Sequence, residues 1–363
     1  MPRYTVPHYT SDPSASETHS YPFAGSRNAL VRLGIVSLQS GDTVWCDLTC
    51  GGRPGGAEEY LATVCWAPPA RDGSCQDGGC HDLWVALLDR DQKKLSLVAF
   101  DAATGARRRV LAVERSRTWV NASDAWQPLK DGSLLWSSEV SGFRHLYRVE
   151  LPAAAAAAAG ALPVWTQLTS GEWGVDSLEG VDEESGTEGR VFFTAPLPSS
   201  PLECHLFVAP LRPQTLTPPP PADGASSVDV LSFRVSAAQP RRLTPVAGIH
   251  RVCLSHSFDR FVDTFESPDS PPSVSLRSTA DGALLVQVFS PSCARAERLR
   301  LAPPRLIDVV SADGVTRLHG AVYTPSESEH GPGPYPLAVS VYGGPHVQTV
   351  TRGWCAPNTR SSV

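Results

Sequence analysis

The sequence predicts a mainly β fold, and three observations carry that reading. Short apolar runs rich in β-branched and aromatic residues recur along the chain. The 33 prolines and 29 glycines are scattered between them, and helical periodicity of useful length is almost absent. Runs of strands punctuated by turns, without alternating helices, exclude a doubly wound α/β chain as the main body.

The runs come in pairs. Residues 83–88 (Leu-Trp-Val-Ala-Leu-Leu) precede a polar turn and then residues 95–100. Residues 134–138 precede the Gly142 turn and then residues 145–149; residues 190–194 precede a Pro-rich turn and residues 205–208. Residues 260–264 precede Pro271-Pro272 and residues 274–276. Each pair reads as a hairpin, and successive hairpins lie roughly fifty to seventy residues apart, a spacing met in propeller blades. One blade cannot bury both faces alone, so neighbours must stack. About four such units fit between Glu59 and Leu276, and the same pattern is also met by the sheets of a β-sandwich. Trp126, Trp136, Trp165 and Trp173 are assigned to packing in these units. The Pro218-Pro219-Pro220-Pro221 run, through Ser227, reads as an extended exposed loop.

Residues 305–323 read as a hairpin turning at Asp313-Gly314, a strong two-residue turn signal. Residues 337–342 (Leu-Ala-Val-Ser-Val-Tyr) have the length and composition of a buried strand, and Gly343-Gly344-Pro345 ends it in a turn. From the residues alone, Tyr342 is either the cap of a core strand or a phenol presented at a strand end, where open α/β sheets place their chemistry.

Composition excludes several function classes. The formal charge of -6 disfavours nucleic acid and anionic membranes, and the short basic runs Arg107-Arg108-Arg109 and Arg241-Arg242 read as solvated loops. No segment has the length and hydrophobicity of a membrane span; the apolar run over residues 153–159 is a low-complexity Ala insertion, and the N-terminus shows no signal-peptide core. Nine cysteines without repeated spacing favour free thiols in a reducing, cytoplasmic compartment. Cys75, Cys80 and His81 have no second ligand pair, so no metal and no cofactor is expected. Asn121-Ala122-Ser123 reads as a chance acceptor triplet.

Several segments resemble the dipeptidyl peptidases of the prolyl oligopeptidase family of serine peptidases, and within it the dipeptidyl peptidase 8/9 group. Val341-Tyr342-Gly343-Gly344-Pro345 resembles that family's V-Y-x-G-P turn, residues 21–28 its Y-P-x-x-G-x-x-N segment, and residues 168–175 its L-T-S-G-E-W-x-V segment. Trp119-Val120-Asn121 resembles another blade start, and residues 302–307 the linker leaving the propeller.

The resemblance implies a partial β-propeller, about four blades of four-stranded antiparallel sheets over residues 1–300. The first strands of an α/β-hydrolase domain would follow over 301–350, with a divergent tail over 351–363. It implies that Tyr342 donates to an oxyanion; His346, just after that turn, is either a substrate contact at the pocket wall or a surface histidine beside a proline turn. The implied substrates are peptides, released as N-terminal X-Pro or X-Ala dipeptides, and a homodimer is the implied assembly.

Acyl transfer on this architecture needs a G-x-S-x-G elbow, then an Asp and a His. No G-x-S-x-G occurs in the sequence, so the chain reads as a family member truncated at both ends and inactive alone. The family's Glu-Glu substrate clamp would precede residue 1, and Glu58-Glu59 and Glu183-Glu184 read as solvated loops. The alternative is a non-catalytic propeller that binds partners.

Overall fold

In the computed structural model, placement is described for all residues except 1, 9, 11–14, 27–28, 30, 49–59, 69–81, 154–155, 158, 218–225, 229–231, 293–297, 299–301, 345–346 and 355–363. The described residues form 25 strands, numbered in chain order from β1 (Arg3–Pro7), and include a helical turn, Glu327–His330.

Four antiparallel meanders of four strands make up the body. The first is β5 (Tyr60–Trp66), β6 (Asp82–Leu88), β7 (Lys94–Asp101) and β8 (Arg107–Ser116), paired in that order. The second is β9 (Gln127–Pro128), β10 (Leu134–Ser138), β11 (His145–Glu150) and β12 (Val164–Gln167). The third is β13 (Ser177–Asp182), β14 (Arg190–Leu197) and β15 (Ser200–Pro210), closed by β19 (Arg241–Arg242). The fourth is β20 (Ile249–Leu254), β21 (Arg260–Ser267), β22 (Ser270–Ser278) and β23 (Leu284–Phe289). A single parallel bridge, Cys204 to Ile249, joins the third to the fourth. Every paired run read from the sequence is a strand here, because each is short, rich in residues able to fill a sheet face, and bounded by turn formers.

The chain divides into two compact units. One holds Met1–Gly142, Tyr147–Thr166 and Pro219–Phe233; the other holds Phe143–Leu146, Gln167–Pro218 and Arg234–Val363. The first unit is centred on Trp84, Leu97, Trp126, Trp136, Tyr147 and Trp165, with Trp165 fully buried 5.6 Å from the Tyr147 ring. The second is centred on Phe192, Leu206, Leu243 and Phe261. Fully burying one such aromatic side chain stabilises by roughly 2–3 kcal/mol. Three of the four tryptophans assigned to packing are buried and Trp173 is half-buried.

Three sequence expectations need correction. Arg107 to Arg109 open β8 and Arg241-Arg242 form β19, so both basic runs are strands. Arginine stems lie along a sheet while their heads reach water or acids, here Arg108 onto Asp101 and Asp82. The Pro-rich loop was expected to run through Ser227, yet Ser226–Val228 is β17, paired with β8. Strand edges carry unpaired N–H and C=O groups that recruit such a segment; residues 218–225 lie outside the described residues.

The third correction concerns residues 337–342, which are not a strand. Leu337, Val339 and Val341 are 84%, 73% and 83% exposed. A strand exists only through hydrogen bonds to a neighbour, and among the described residues none pairs with this run. By contrast the hairpin before it forms as read. β24 (Arg305–Val310) pairs with β25 (Arg317–Val322), and Gly314 takes φ 76° in the turn, where Asp313 Oδ1 accepts from the Val315 and Thr316 N–H groups.

Candidate functional site

Tyr342 sits where the apolar run meets its glycines, half exposed at 51%. Its phenol folds over Gly344, whose missing Cβ would lie 2.5 Å from Tyr342 Oη. A side chain at 344 would have to displace that ring. His346, the second expected site residue, lies outside the described residues, as do Glu58-Glu59 and the Cys75, Cys80, His81 trio. Among the described residues no group of three or more His, Cys, Asp or Glu side chains could hold a metal.

The chain beyond the turn is fixed to the third and fourth meanders. Gln348 Nε2 donates to Pro201 O at 3.1 Å, and the Arg352 N–H donates to Leu202 O at 2.8 Å. Arg352 Nε lies 3.5 Å from Glu203 Oε1.

Buried histidines, absent from the sequence reading as a site, form the other polar constellation. In the third meander, Thr244 Oγ1 accepts from the Leu206 N–H at 3.0 Å and bonds His205 Nδ1 at 3.2 Å. His205 Nε2 donates to Glu203 Oε2 at 2.8 Å. Ahead of it, Thr169 Oγ1 accepts from the Leu146 N–H and bonds His145 Nδ1, each at 3.0 Å, and His145 Nε2 donates to Gly171 O. Because a carboxylate or carbonyl only accepts, Nε2 carries the hydrogen in both rings. Burial is the largest influence on each ring and holds both histidines below their ordinary value. A signal for this device was present in the sequence. His145-Leu146-Tyr147 with Leu168-Thr169 repeats as His205-Leu206-Phe207 with Leu243-Thr244.

His250 bonds Asp263 Oδ1 at 2.8 Å, two members of a hydrolytic triad by residue type. Its other nitrogen faces Val246 O at 2.9 Å, so neither nitrogen is left to take a proton from a serine. Asp263 is fully buried and also takes Arg277 Nε at 2.9 Å, which makes the group a structural ion pair. Cysteine nucleophiles are disfavoured as well: burial pushes Cys65 and Cys204 up to about 12, leaving them as thiols. Glu183 pairs with Arg212, and Asn121 is engaged by Trp119 and Glu139.

The family described as "Dipeptidyl peptidase IV (DPP IV) N-terminal region" matches residues 1–272. Among curated proteins, human dipeptidyl peptidase 8 is 24% identical over 342 residues, 80% of this chain and 34% of that protein. Mouse dipeptidyl peptidase 8 is 26% identical over 337 residues, again 80% and 34%. The chain therefore spans about a third of the length of these relatives. Among solved structures, Porphyromonas gingivalis dipeptidyl peptidase 4 superposes with a TM-score of 0.71 at 19% identity, covering 98% of this chain and 43% of its own. A putative dipeptidyl aminopeptidase IV from Bacteroides ovatus gives 0.71 at 21% identity, covering 97% and 45%. Four meanders of the blade type and a family match over three quarters of the residues lead to one assignment: this chain belongs to the dipeptidyl peptidase IV N-terminal region family, as a mainly β, partial propeller of the dipeptidyl peptidase 8/9-like kind.

Proposed function

We propose that the chain is the propeller-bearing part of a dipeptidyl peptidase 8/9-like serine peptidase that releases N-terminal X-Pro or X-Ala dipeptides from peptides. The observation that carries this reading is the family match over residues 1–272, followed in the same chain by Tyr342-Gly343-Gly344-Pro345. Residues 1–300 act as propeller, 301–350 open the α/β-hydrolase domain, and 351–363 are a tail. Tyr342 donates its hydroxyl to the oxyanion and His346 lines the pocket wall. One preorganised donor of this kind lowers the barrier by on the order of 3 kcal/mol. The half-exposed phenol supports the role, since a donor must be reachable by substrate.

The chain by itself turns nothing over, because no G-x-S-x-G supplies a nucleophile. It works in the cytoplasm, and the assembly is a homodimer. The thiol state of the four described cysteines, Cys46, Cys65, Cys204 and Cys253, supports a reducing compartment, and no helix among the described residues is long and apolar enough to cross a membrane.

The purified chain, assayed with a Pro-containing dipeptide chromogenic substrate, is expected to give no turnover above buffer. Turnover blocked by a serine-directed inhibitor would overturn the assignment of roles.

A further inference from the structure

Among the described residues no backbone hydrogen bond holds residues 337–342 to a neighbouring strand. Whatever places the Tyr342 phenol must therefore act through the chain on either side of it. On the downstream side the anchoring is dense. Gln348 Nε2 bonds Pro201 O at 3.1 Å and its own Val350 O at 3.0 Å. The Arg352 N–H bonds Leu202 O at 2.8 Å, and Arg352 Nε faces Glu203 Oε1 at 3.5 Å. Gly353 is buried and closely packed: a Cβ there would lie 3.0 Å from Glu266 Oε1 and 3.3 Å from Ile249 Cγ1. Residues 348–353 thus lie across the start of β15 and against β20 and β21, beside the single parallel bridge from Cys204 to Ile249.

Glu203 is suited to anchor this strap because it is itself held. Its carboxylate is 7% exposed, with Ser200 Oγ donating to Oε1 at 2.7 Å and His205 Nε2 to Oε2 at 2.8 Å. A carboxylate fixed by two donors presents a stationary charge to the guanidinium.

We propose that residues 348–353 form a positioning strap for the Tyr342 turn, with Glu203 and Arg352 as its positioning residues and Gln348 as its first anchor. From Tyr342 to Gln348 is six residues, so the anchor holds the Tyr342 Cα within about 20 Å of the Gln348 Cα. The inference rests on reading Tyr342 as the oxyanion donor, but its test reads the position of the ring and not turnover, so the two can fail separately.

The test places 3-fluorotyrosine at position 342 of the full chain and follows its fluorine resonance, with hydrogen exchange at the Arg352 amide as a second readout. Arg352→Ala and Glu203→Gln are expected to shift and broaden the resonance and to speed Arg352 exchange at least tenfold. Arg352→Lys should restore part of both effects, and Thr169→Val, which weakens the fold elsewhere, should leave the resonance in place. Should Glu203→Gln fail to fold, Arg352→Ala and Gln348→Ala decide the matter, since both side chains lie on the surface side of the strap. An unchanged resonance and unchanged exchange in those two variants would overturn the proposal. Loss of the signal difference between Arg352→Ala and Thr169→Val would overturn it too.

Discussion

His145 and His205 occupy the same place in successive repeats, yet their rings lead to different surroundings. The inner half is constant: a threonine hydroxyl ties the ring Nδ1 to the backbone N–H of the following leucine. The outer half diverges. His145 ends on the Gly171 carbonyl and packs edge-on at 5.2 Å against Trp173, which stacks on Phe193 and Phe207. His205 ends on the Glu203 carboxylate and lies 5.2 Å from the His250 ring, beside the buried Asp263 and Arg277. The repeat preserves what satisfies a buried backbone donor and leaves free what the ring's far side touches. One clasp is wired into aromatics, the other into charge.

The strongest way to break the comparison is at the charged end. Asp263→Ala strands His250 and Arg277 and should cost about 3–5 kcal/mol in denaturant unfolding. A loss below ~1 kcal/mol would mean the charged wiring carries little of the stability.

A third buried acid sharpens the contrast because, among the described residues, no cation pairs with it. Glu114 accepts from Trp136 Nε1 and Ser138 Oγ, at 3.2 and 2.7 Å, and burial pushes it up to about 7. Folding therefore favours its protonated form; that contribution is complete below pH 4.5 and is lost as pH rises through about 7. Glu114→Gln should flatten that decline and raise stability at pH 8 by on the order of 3 kcal/mol relative to its effect at pH 4. Parallel pH profiles for the two proteins would show that the carboxyl stays ionised.

Next come the paired threonine variants. Thr169→Val and Thr244→Val each leave a buried leucine N–H without its acceptor and should each cost about 2 kcal/mol. If one costs over twice the other, the inner halves are not equivalent.

The smallest effect is a titration. Both clasp histidines are held low, so their neutral forms stabilise the fold above about pH 6.5 and that stabilisation is lost as pH falls through the depressed values. Glu203 opposes burial at His205. Glu203→Gln should move the His205 NMR midpoint lower still and leave that of His145 unmoved. Movement of both would mean the rings are coupled through the sheet.

Much of the fold was legible in the residues, because strands such as 83–88 and 190–194 are short, continuous apolar or β-branched runs that end at turn formers. The Asp313-Gly314 turn was equally local. Residues 337–342 read as a strand for the same reason and failed, since a ladder belongs to two segments and a run specifies only one. Tyr342 was singled out by the Gly-Gly-Pro wording that follows it, and its role is a proposal. The clasps were visible as repeated His-Leu-aromatic and Leu-Thr pairs, but only folding shows that threonine meets histidine across 24 residues in one repeat and 39 in the other. The contact of Gln348 with Pro201, 147 residues away, joins ordinary residue types and leaves no local trace.

β17 has a consequence of its own. By lying along Arg115 and Glu114 of β8, it takes up the outermost ladder positions of the first meander. A second copy of the chain therefore finds the template along β8 shortened by the three positions that β17 already pairs.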